Sequence, residues 1–146
     1  MPGRYLMIFA ACVLAAFAAG LWYTQMYAFY EQLPPTDEIT VADRTVPVSN
    51  FEGVDASTSP IKLRACMQVD PKSFNGLEPA ENAVPLVAPY WFECFDARAI
   101  GKAMEAGEAT AYLAASEEFD GSERMIAVYS DGRAYMWRQL SPEFSK

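Results

Sequence analysis

The hydrophobic positions of the chain follow two different patterns, and the first is a long apolar run near the N-terminus. Residues 5–23 are unbroken by a polar or charged side chain, and residues 5–30 contain no charge. As a helix, the 19 residues of the run span roughly 28 Å, close to the roughly 30 Å of a bilayer's hydrocarbon core. We therefore predict one transmembrane helix over residues 5–30, preceded by a cytoplasmic N-terminus of residues 1–4.

The ends of this run predict its orientation in the membrane. Four aromatic residues gather toward its C-terminal end, as rings do where lipid meets water: Trp22, Tyr23, Tyr27 and Tyr30. Arg4 is the only basic side chain near the other end. By the positive-inside rule the N-terminus stays in the cytoplasm and everything after Tyr30 is exported. Membrane lipid is thus a predicted partner.

A cleaved signal peptide is the rival interpretation of the same residues. Arg4, an apolar stretch and the small residues of Ala16-Phe17-Ala18 imitate its three regions. The aromatic segment continues past that cleavage point to Tyr30, which favours a retained helix. A lipoprotein anchored at Cys12 is disfavoured, because the apolar run before Cys12 is too short.

Small residues lie four positions apart in the predicted helix. One face carries Ala11, Ala15, Ala16, Ala19 and Gly20. In lipid, helices associate through close packing, so such a face favours contact with helices of other integral-membrane subunits. The alternative is that alanine is simply common in membrane helices.

Beyond residue 30 the chain takes up the second pattern, that of short strands and turns. Residues 31–38 contain Pro34 and Pro35, which cannot donate backbone hydrogen bonds, and predict a stiff linker. Residues 39–48 predict one or two short strands, and residues 49–60 predict a loop.

The middle of the exported part predicts a strand, an irregular excursion and a helix. Apolar and polar residues alternate strictly over 61–69, which predicts a strand with one buried face. Residues 70–89 contain four prolines and predict a long excursion with little regular structure. Asp96 is typical of an N-cap, so we expect a helix from there to about Ala106, with Gly107 ending it.

The last third of the chain predicts a hairpin. Residues 108–113 predict a strand, and two further strand-like runs, 124–129 and 134–140, flank the turn signal Asp131-Gly132. The expected fold class is α+β: a small antiparallel sheet with one helix over residues 39–140, followed by a tail at 141–146.

Composition and charge narrow the functional classes. The 146 residues include no histidine and carry a net charge of −8; after Tyr30 there are ten basic and 19 acidic residues, a net charge of −9. Without histidine there is no Ser-His or Cys-His catalytic pair and no imidazole metal ligand. The acidic surface argues against nucleic acid as a partner. We predict no enzyme, no catalytic residue, no metal site and no cofactor.

The cysteines divide between the two parts of the chain. Cys12 lies in the membrane run, whereas Cys66 and Cys94 lie in the exported part, where oxidation is favoured. We predict a Cys66–Cys94 disulfide. The pair is not spaced as CxxC, which disfavours a thiol oxidoreductase.

Aromatic residues and the acidic surface supply the candidates for binding. Tyr90, Trp91, Tyr135 and Trp137 are interpreted either as core residues or as anchors on a partner, since rigid aromatic side chains dominate interface energies. The acidic exported part could attract basic soluble proteins such as a cytochrome c; the alternative is that it only keeps the domain soluble.

Several segments together carry a resemblance to a family: residues 22–30, 51–55, 59–66, 88–108 and 131–137. They resemble an uncharacterised family of alphaproteobacterial single-span membrane proteins. The resemblance implies a bacterial inner-membrane protein with a periplasmic domain and a Cys66–Cys94 pair, and it brings no known activity. The resemblance is weaker at the C-terminus, where some relatives continue further.

These observations favour one functional hypothesis over two others. We expect a non-catalytic accessory subunit of an inner-membrane respiratory complex, such as a cytochrome bc1 or cytochrome oxidase assembly. The alternatives are a membrane-anchored assembly factor for such a complex and a periplasmic sensing or interaction module.

Overall fold

The computed structural model describes residues 2–27 and 29–142, and these fall into two compact units. The first covers Met1–Tyr30 and the second Glu31–Lys146. The first unit is mainly one helix, α1, at Gly3–Met26. Its segment Gly3–Gln25 is long and apolar enough to cross a membrane, with a mean hydropathy of 2.1.

The helix α1 ends earlier than the predicted 5–30 segment. Tyr27 caps it by donating its amide to the carbonyl of Tyr23, and Phe29 has a φ of 72°. A bulky residue in the left-handed region cannot continue a right-handed helix. The prediction that the helix reaches Tyr30 is therefore wrong, and Tyr30 instead begins a short strand.

The second unit is an antiparallel sheet with one α-helix, which confirms the α+β prediction. Its strands follow the order β1-β3-β4-β7-β6-β5, and β2 pairs with β3. The elements are β1 at Tyr30–Gln32, β2 at Glu38–Val41, β3 at Arg44–Ala56, β4 at Arg64–Val69, a 3-10 turn at Pro71–Phe74, α2 at Ala97–Glu105, β5 at Ala109–Ser116, β6 at Ser122–Tyr129 and β7 at Arg133–Leu140.

The longest strand, β3, overturns the predicted loop over residues 49–56, while residues 57–60 lie outside the strands as predicted. Its first part pairs with β2 and its second part with β4, and the register shifts between Ser49 and Glu52. Asn50 has a φ of 53° at this irregularity. A bulge bends a strand while its pairing continues beyond the bend, so β3 pairs with β2 before the irregularity and with β4 beyond it.

Strand β4 has two buried faces where one was predicted. It starts at Arg64, so Ile61 and Leu63 precede it. Ala65 and Met67 belong to the main core, which fills one face of the sheet, but Arg64 and Cys66 are buried as well.

The helix α2 and the final hairpin follow their local signals. The Asp96 side chain accepts a hydrogen bond from the Ala99 amide at 3.1 Å, and Ile100 and Ala103 are buried. Strands β6 and β7 pair around Asp131-Gly132, with Gly132 at a φ of 96°. A Cβ there would lie 2.7 Å from the Val69 carbonyl oxygen, so only glycine fits this turn.

The excursion at 70–89 is irregular, as predicted, but it is packed against the sheet. It contains the 3-10 turn and an isolated bridge between Pro79 and Tyr112. The predicted tail at 141–146 begins as ordered chain, because the Ser141 amide donates to the carbonyl of Gly121 at 2.8 Å. Residues 143–146 lie outside the described residues.

Candidate interaction surface

A disulfide closes the excursion onto the sheet. Cys66 of β4 is bonded to Cys94, with a Cα–Cα distance of 6.3 Å, which confirms the predicted pairing. Cys94 lies two residues before Asp96, the N-cap of α2. The bond therefore anchors both the end of the excursion and the start of the helix to a central strand.

An aromatic cluster packs on this second face of the sheet. The ring of Phe95 meets those of Tyr135 and Trp137 edge-on, with centroid distances of 6.1 and 6.3 Å. Tyr129 meets Tyr135 at 5.6 Å. Edge-to-face contacts of this kind add about 0.5–1.5 kcal/mol beyond the burial of the rings.

The four aromatic residues predicted to bind a partner differ in their burial. Trp137 is completely buried, so it is a core residue and the interpretation as an anchor is wrong for it. Tyr135 and Trp91 are half-buried, with Trp91 packed against Phe92 at 6.5 Å. Tyr90 is 64% exposed and keeps its candidacy.

Buried Gln139 ties the excursion to strand β7. Its Oε1 accepts hydrogen bonds from the Val84 amide at 2.9 Å and from Trp137 Nε1 at 3.0 Å. Its Nε2 donates to the carbonyl of Asn82 at 2.7 Å. One buried amide side chain thus satisfies the backbone of the excursion on both sides of residue 83.

Buried Arg64 holds the same segment from strand β4. Its guanidinium donates to the carbonyls of Leu86 at 3.0 Å and Val87 at 3.2 Å. It also donates to the carbonyls of Ile61 at 2.7 Å and Leu63 at 2.6 Å. Charge-assisted bonds to carbonyls are stronger than neutral ones, so Arg64 fixes the backbone at residues 86–87.

The result is an apolar ridge, residues 84–90, with a three-residue period of exposure. Val84, Val87 and Tyr90 are 61%, 83% and 64% exposed. The four residues between them are half-buried or, in the case of Pro89, buried. Residues 83–89 form no helix or strand. Tyr90 lies in a turn, in which the Phe92 amide donates to the Pro89 carbonyl at 3.0 Å.

Apolar cavities flank the 84–90 ridge, and Val84 lines two of them. One has a volume of about 500 Å³ and includes Ile61, Leu86 and Leu140. The other has a volume of about 610 Å³ and extends to Met104 of α2. The ridge with its neighbouring hollows offers a partner both projecting side chains and depressions.

Acidic side chains continue the same period beyond the ridge. Glu81 and Glu93 are exposed, three residues before Val84 and three after Tyr90. Glu81 also lines both cavities. The apolar surface is therefore bounded by negative charge.

A second group of charges lies elsewhere on the domain. Arg138 is buried and pairs with Asp55 at 3.3 Å and with Glu118 at 3.6 Å. Glu118 also pairs with Arg124 at 2.9 Å. In these ion pairs the charges of the two arginines are neutralised by those of the two carboxylates. The Nε of Arg138 is buried without a hydrogen-bond partner among the described residues.

The predicted residues of the membrane helix are placed as follows. All five residues of the small face are exposed along α1, and a Cβ on Gly20 would meet nothing within 4 Å. Trp22 and Tyr23 both contact the ring of Tyr27, at 5.1 and 6.0 Å. Packing of the small face against another helix stays a prediction.

Comparison with known proteins identifies a family. A model of a family of unknown function, DUF6446, matches residues 35–145. The chain belongs to this family. The matched region starts after α1 and contains the disulfide, the aromatic cluster and the 84–90 ridge. The comparisons find no match among curated proteins and none among solved structures.

The apolar members of the ridge are not evident from the sequence pattern. The pattern points to Tyr90 but not to Val84 or Val87, because apolar residues every third position match neither the helical nor the strand period. The signal was present in Pro85 and Pro89, which bracket Val87 and favour an extended conformation. Within residues 2–27 and 29–142, no group of three Cys, Asp or Glu side chains is placed to hold a metal ion.

Proposed function

We propose that this protein is a membrane-anchored, non-catalytic accessory subunit of an inner-membrane complex, with its N-terminus in the cytoplasm and its DUF6446 domain in the periplasm. The main support for this proposal is the exposed apolar surface of α1. Its residues from 3 to 25 are exposed on every side, and they include large apolar side chains such as Leu6, Phe9 and Phe17. Water penalises this surface at about 25 cal/mol per Å², so it belongs among lipid and other membrane helices.

The small face of α1 supports a subunit over a lone anchor. Ala15, Ala19 and Gly20 lie near the middle of the helix, where they allow another backbone to approach closely. Phe17 and Leu14 give the opposite, bulky character to the rest of the circumference. We therefore assign the small face to helix contacts and the bulky face to lipid.

Within this proposal, the parent complex belongs to respiratory electron transfer, such as a cytochrome bc1 or cytochrome oxidase assembly of an alphaproteobacterium. The net charge of −9 after Tyr30 supports this choice. An acidic periplasmic domain attracts basic electron carriers such as cytochrome c and raises their association rate.

The subunit role is tested by Gly20→Leu in the full chain, purified from membranes in mild detergent. We expect the variant to lose the membrane subunits that co-purify with the wild type, because a leucine holds the two helices apart. Phe17→Leu on the bulky face is the matched control. Equal co-purification of both variants would contradict the role, and absence of the protein from the mature complex would identify an assembly factor instead.

The respiratory assignment is tested by the salt dependence of cytochrome c turnover. Membranes without the protein should lose more turnover at low ionic strength than at high, because a surface charge acts within about 10 Å at 0.1 M salt. An equal loss at both ionic strengths would defeat the assignment.

A further inference from the structure

We propose that the domain has a binding site for a quaternary ammonium group, in a cavity between residues 32–35, strand β3 and residues 91–94. The cavity has a volume of about 500 Å³ and is lined by residues of all three segments. Cavities of about 300–1,000 Å³ are typical of small-ligand sites. The site belongs to the domain alone and does not depend on the accessory role.

The walls of the cavity are aromatic and apolar. Phe92 is buried, and Phe51 and Trp91 are half-buried; all three line the cavity. Leu33 adds an aliphatic side chain, and its amide donates to the Gly53 carbonyl at 2.8 Å. Leu33 and Phe51 also pack against the main core. Aromatic rings attract cations through their quadrupole, so these walls suit a cation that carries methyl groups.

Two carboxylates line the same cavity, those of Glu52 and Glu93, and both residues are exposed. The disulfide accounts for their placement, because Glu52 is the cross-strand partner of Cys66 and Glu93 directly precedes Cys94. Within residues 2–27 and 29–142, neither carboxylate forms an ion pair. No described residue that lines the cavity is basic. The cavity therefore combines aromatic rings with negative charge that the domain does not neutralise.

This combination selects among cations. A primary ammonium is strongly hydrated, and its three N–H groups need hydrogen-bond acceptors. A quaternary ammonium has no N–H group and presents only methyl groups, so it can contact the rings while its charge is attracted to the carboxylates. Free choline and the choline headgroup of a phospholipid both present this group.

The test is calorimetric titration of the full chain, in an uncharged maltoside detergent, with choline. One matched probe is 3,3-dimethyl-1-butanol, which has the shape of choline without its charge. The other is ethanolamine, which has a charged primary amine without the methyl groups. We expect choline to bind about tenfold more tightly than either probe, as cation–π attraction in a desolvated site allows. Binding of either probe as tight as that of choline, or no binding of choline, would overturn the proposal.

A pair of charge variants locates the site. Glu52→Gln with Glu93→Gln should weaken choline binding about tenfold, because it removes both carboxylates of the cavity. The matched control is Glu38→Gln with Glu78→Gln, which removes the same charge from two exposed residues that do not line the cavity. It should change the affinity less than about twofold, since distant surface charges are screened by salt. Equal losses in the two pairs would show that only net charge acts, and the site would be wrong.

A ring variant separates the cation contact from simple apolar packing. Phe51→Leu keeps the wall apolar and removes one ring, so it should weaken the binding of choline more than that of 3,3-dimethyl-1-butanol. An unchanged melting temperature reports that the variant is folded. Equal weakening of the two ligands would contradict contact between the cation and the ring.

Bilayers distinguish the two sources of the group. The full chain is reconstituted into phosphatidylcholine and, separately, into phosphatidylglycerol, and choline is added to both. A lower apparent affinity for choline in phosphatidylcholine would assign the site to the lipid headgroup, which competes for it. Equal affinities in the two lipids would assign it to a soluble amine, and both results support the site.

Discussion

The helix α1 and the 70–96 segment are both ordered, but by different interactions. In α1 the backbone satisfies itself, and no described residue from 2 to 25 is buried. In the 70–96 segment regular structure is nearly absent, and the order comes from Arg64, Gln139 and a disulfide. The comparison teaches that exposed apolar residues occur in two different settings: in α1 they surround the whole helix, whereas in the ridge they lie on a segment whose backbone is held by side chains of the sheet.

The largest expected effect follows from removing the disulfide. Cys66→Ala with Cys94→Ala should lower the free energy of unfolding of the domain by about 3–4 kcal/mol, because a closed loop restricts the unfolded chain. Urea unfolding followed by tryptophan fluorescence measures it. Cys12→Ala is the matched control, since Cys12 is an exposed free thiol of α1. A double variant as stable as the control would contradict the role of the disulfide in ordering the 70–96 segment.

A smaller effect follows from replacing the buried amide. Gln139→Leu deprives the Val84 amide, the Asn82 carbonyl and Trp137 Nε1 of their partner. We expect a loss of about 2 kcal/mol, within the range for buried polar groups left unsatisfied. Amide hydrogen exchange at Val84 should quicken, while exchange in α1 stays the same.

The matched control for this variant is Gln68→Leu on the neighbouring strand. Gln68 is half-buried and holds none of these three groups. It should cost under about 0.5 kcal/mol, as surface changes do. Equal costs for the two glutamines would show that the 70–96 segment is ordered without Gln139.

The smallest expected effect concerns the pH dependence of stability. Burial raises the pKa of Glu123, and the nearby Glu117 carboxylate raises it further. The folded chain therefore holds this proton more tightly than the unfolded chain, and stability falls as pH rises from the unfolded value through the raised pKa.

Glu123→Gln removes that titration. Thermal unfolding between pH 4 and pH 7 should show a flatter profile for the variant, with its melting temperature above that of the wild type at the upper end. Glu105→Gln on the exposed side of α2 is the control. Parallel profiles for Glu123→Gln and the wild type would contradict the assignment of the raised pKa to burial of Glu123.

How far the sequence predicts this fold depends on the range of the interactions involved. The Asp96 cap, the Gly107 stop and the Asp131-Gly132 turn act over three or four residues, and the helix and hairpin that they predict are present. The bend in β3 lies where its pairing passes from β2 to β4, and a pattern along one strand does not record such a change of partner, so the residues at 49–60 predict a loop.

In the candidate site, too, some features were predictable from the sequence and others were not. The Cys66–Cys94 pairing was predictable because only two of the three cysteines lie outside the apolar N-terminal run. The burial of Trp137 was not, since an alternating strand pattern does not say whether its second face is covered. Here the Phe95 ring packs against Trp137, whose Nε1 donates to Gln139, the residue that holds the excursion.

By itself, the sequence determined the membrane-length helix, the hairpin, the helix cap and the disulfide partners, because each depends on local hydrogen bonding or on a count of residue types. Only the tertiary structure decided that β4 is buried on both sides and that residues 84–90 form an exposed apolar ridge. The reason is physical: Arg64 and Gln139 are polar residues that bind backbone atoms of the excursion 22 to 57 positions away. No local pattern records such a contact.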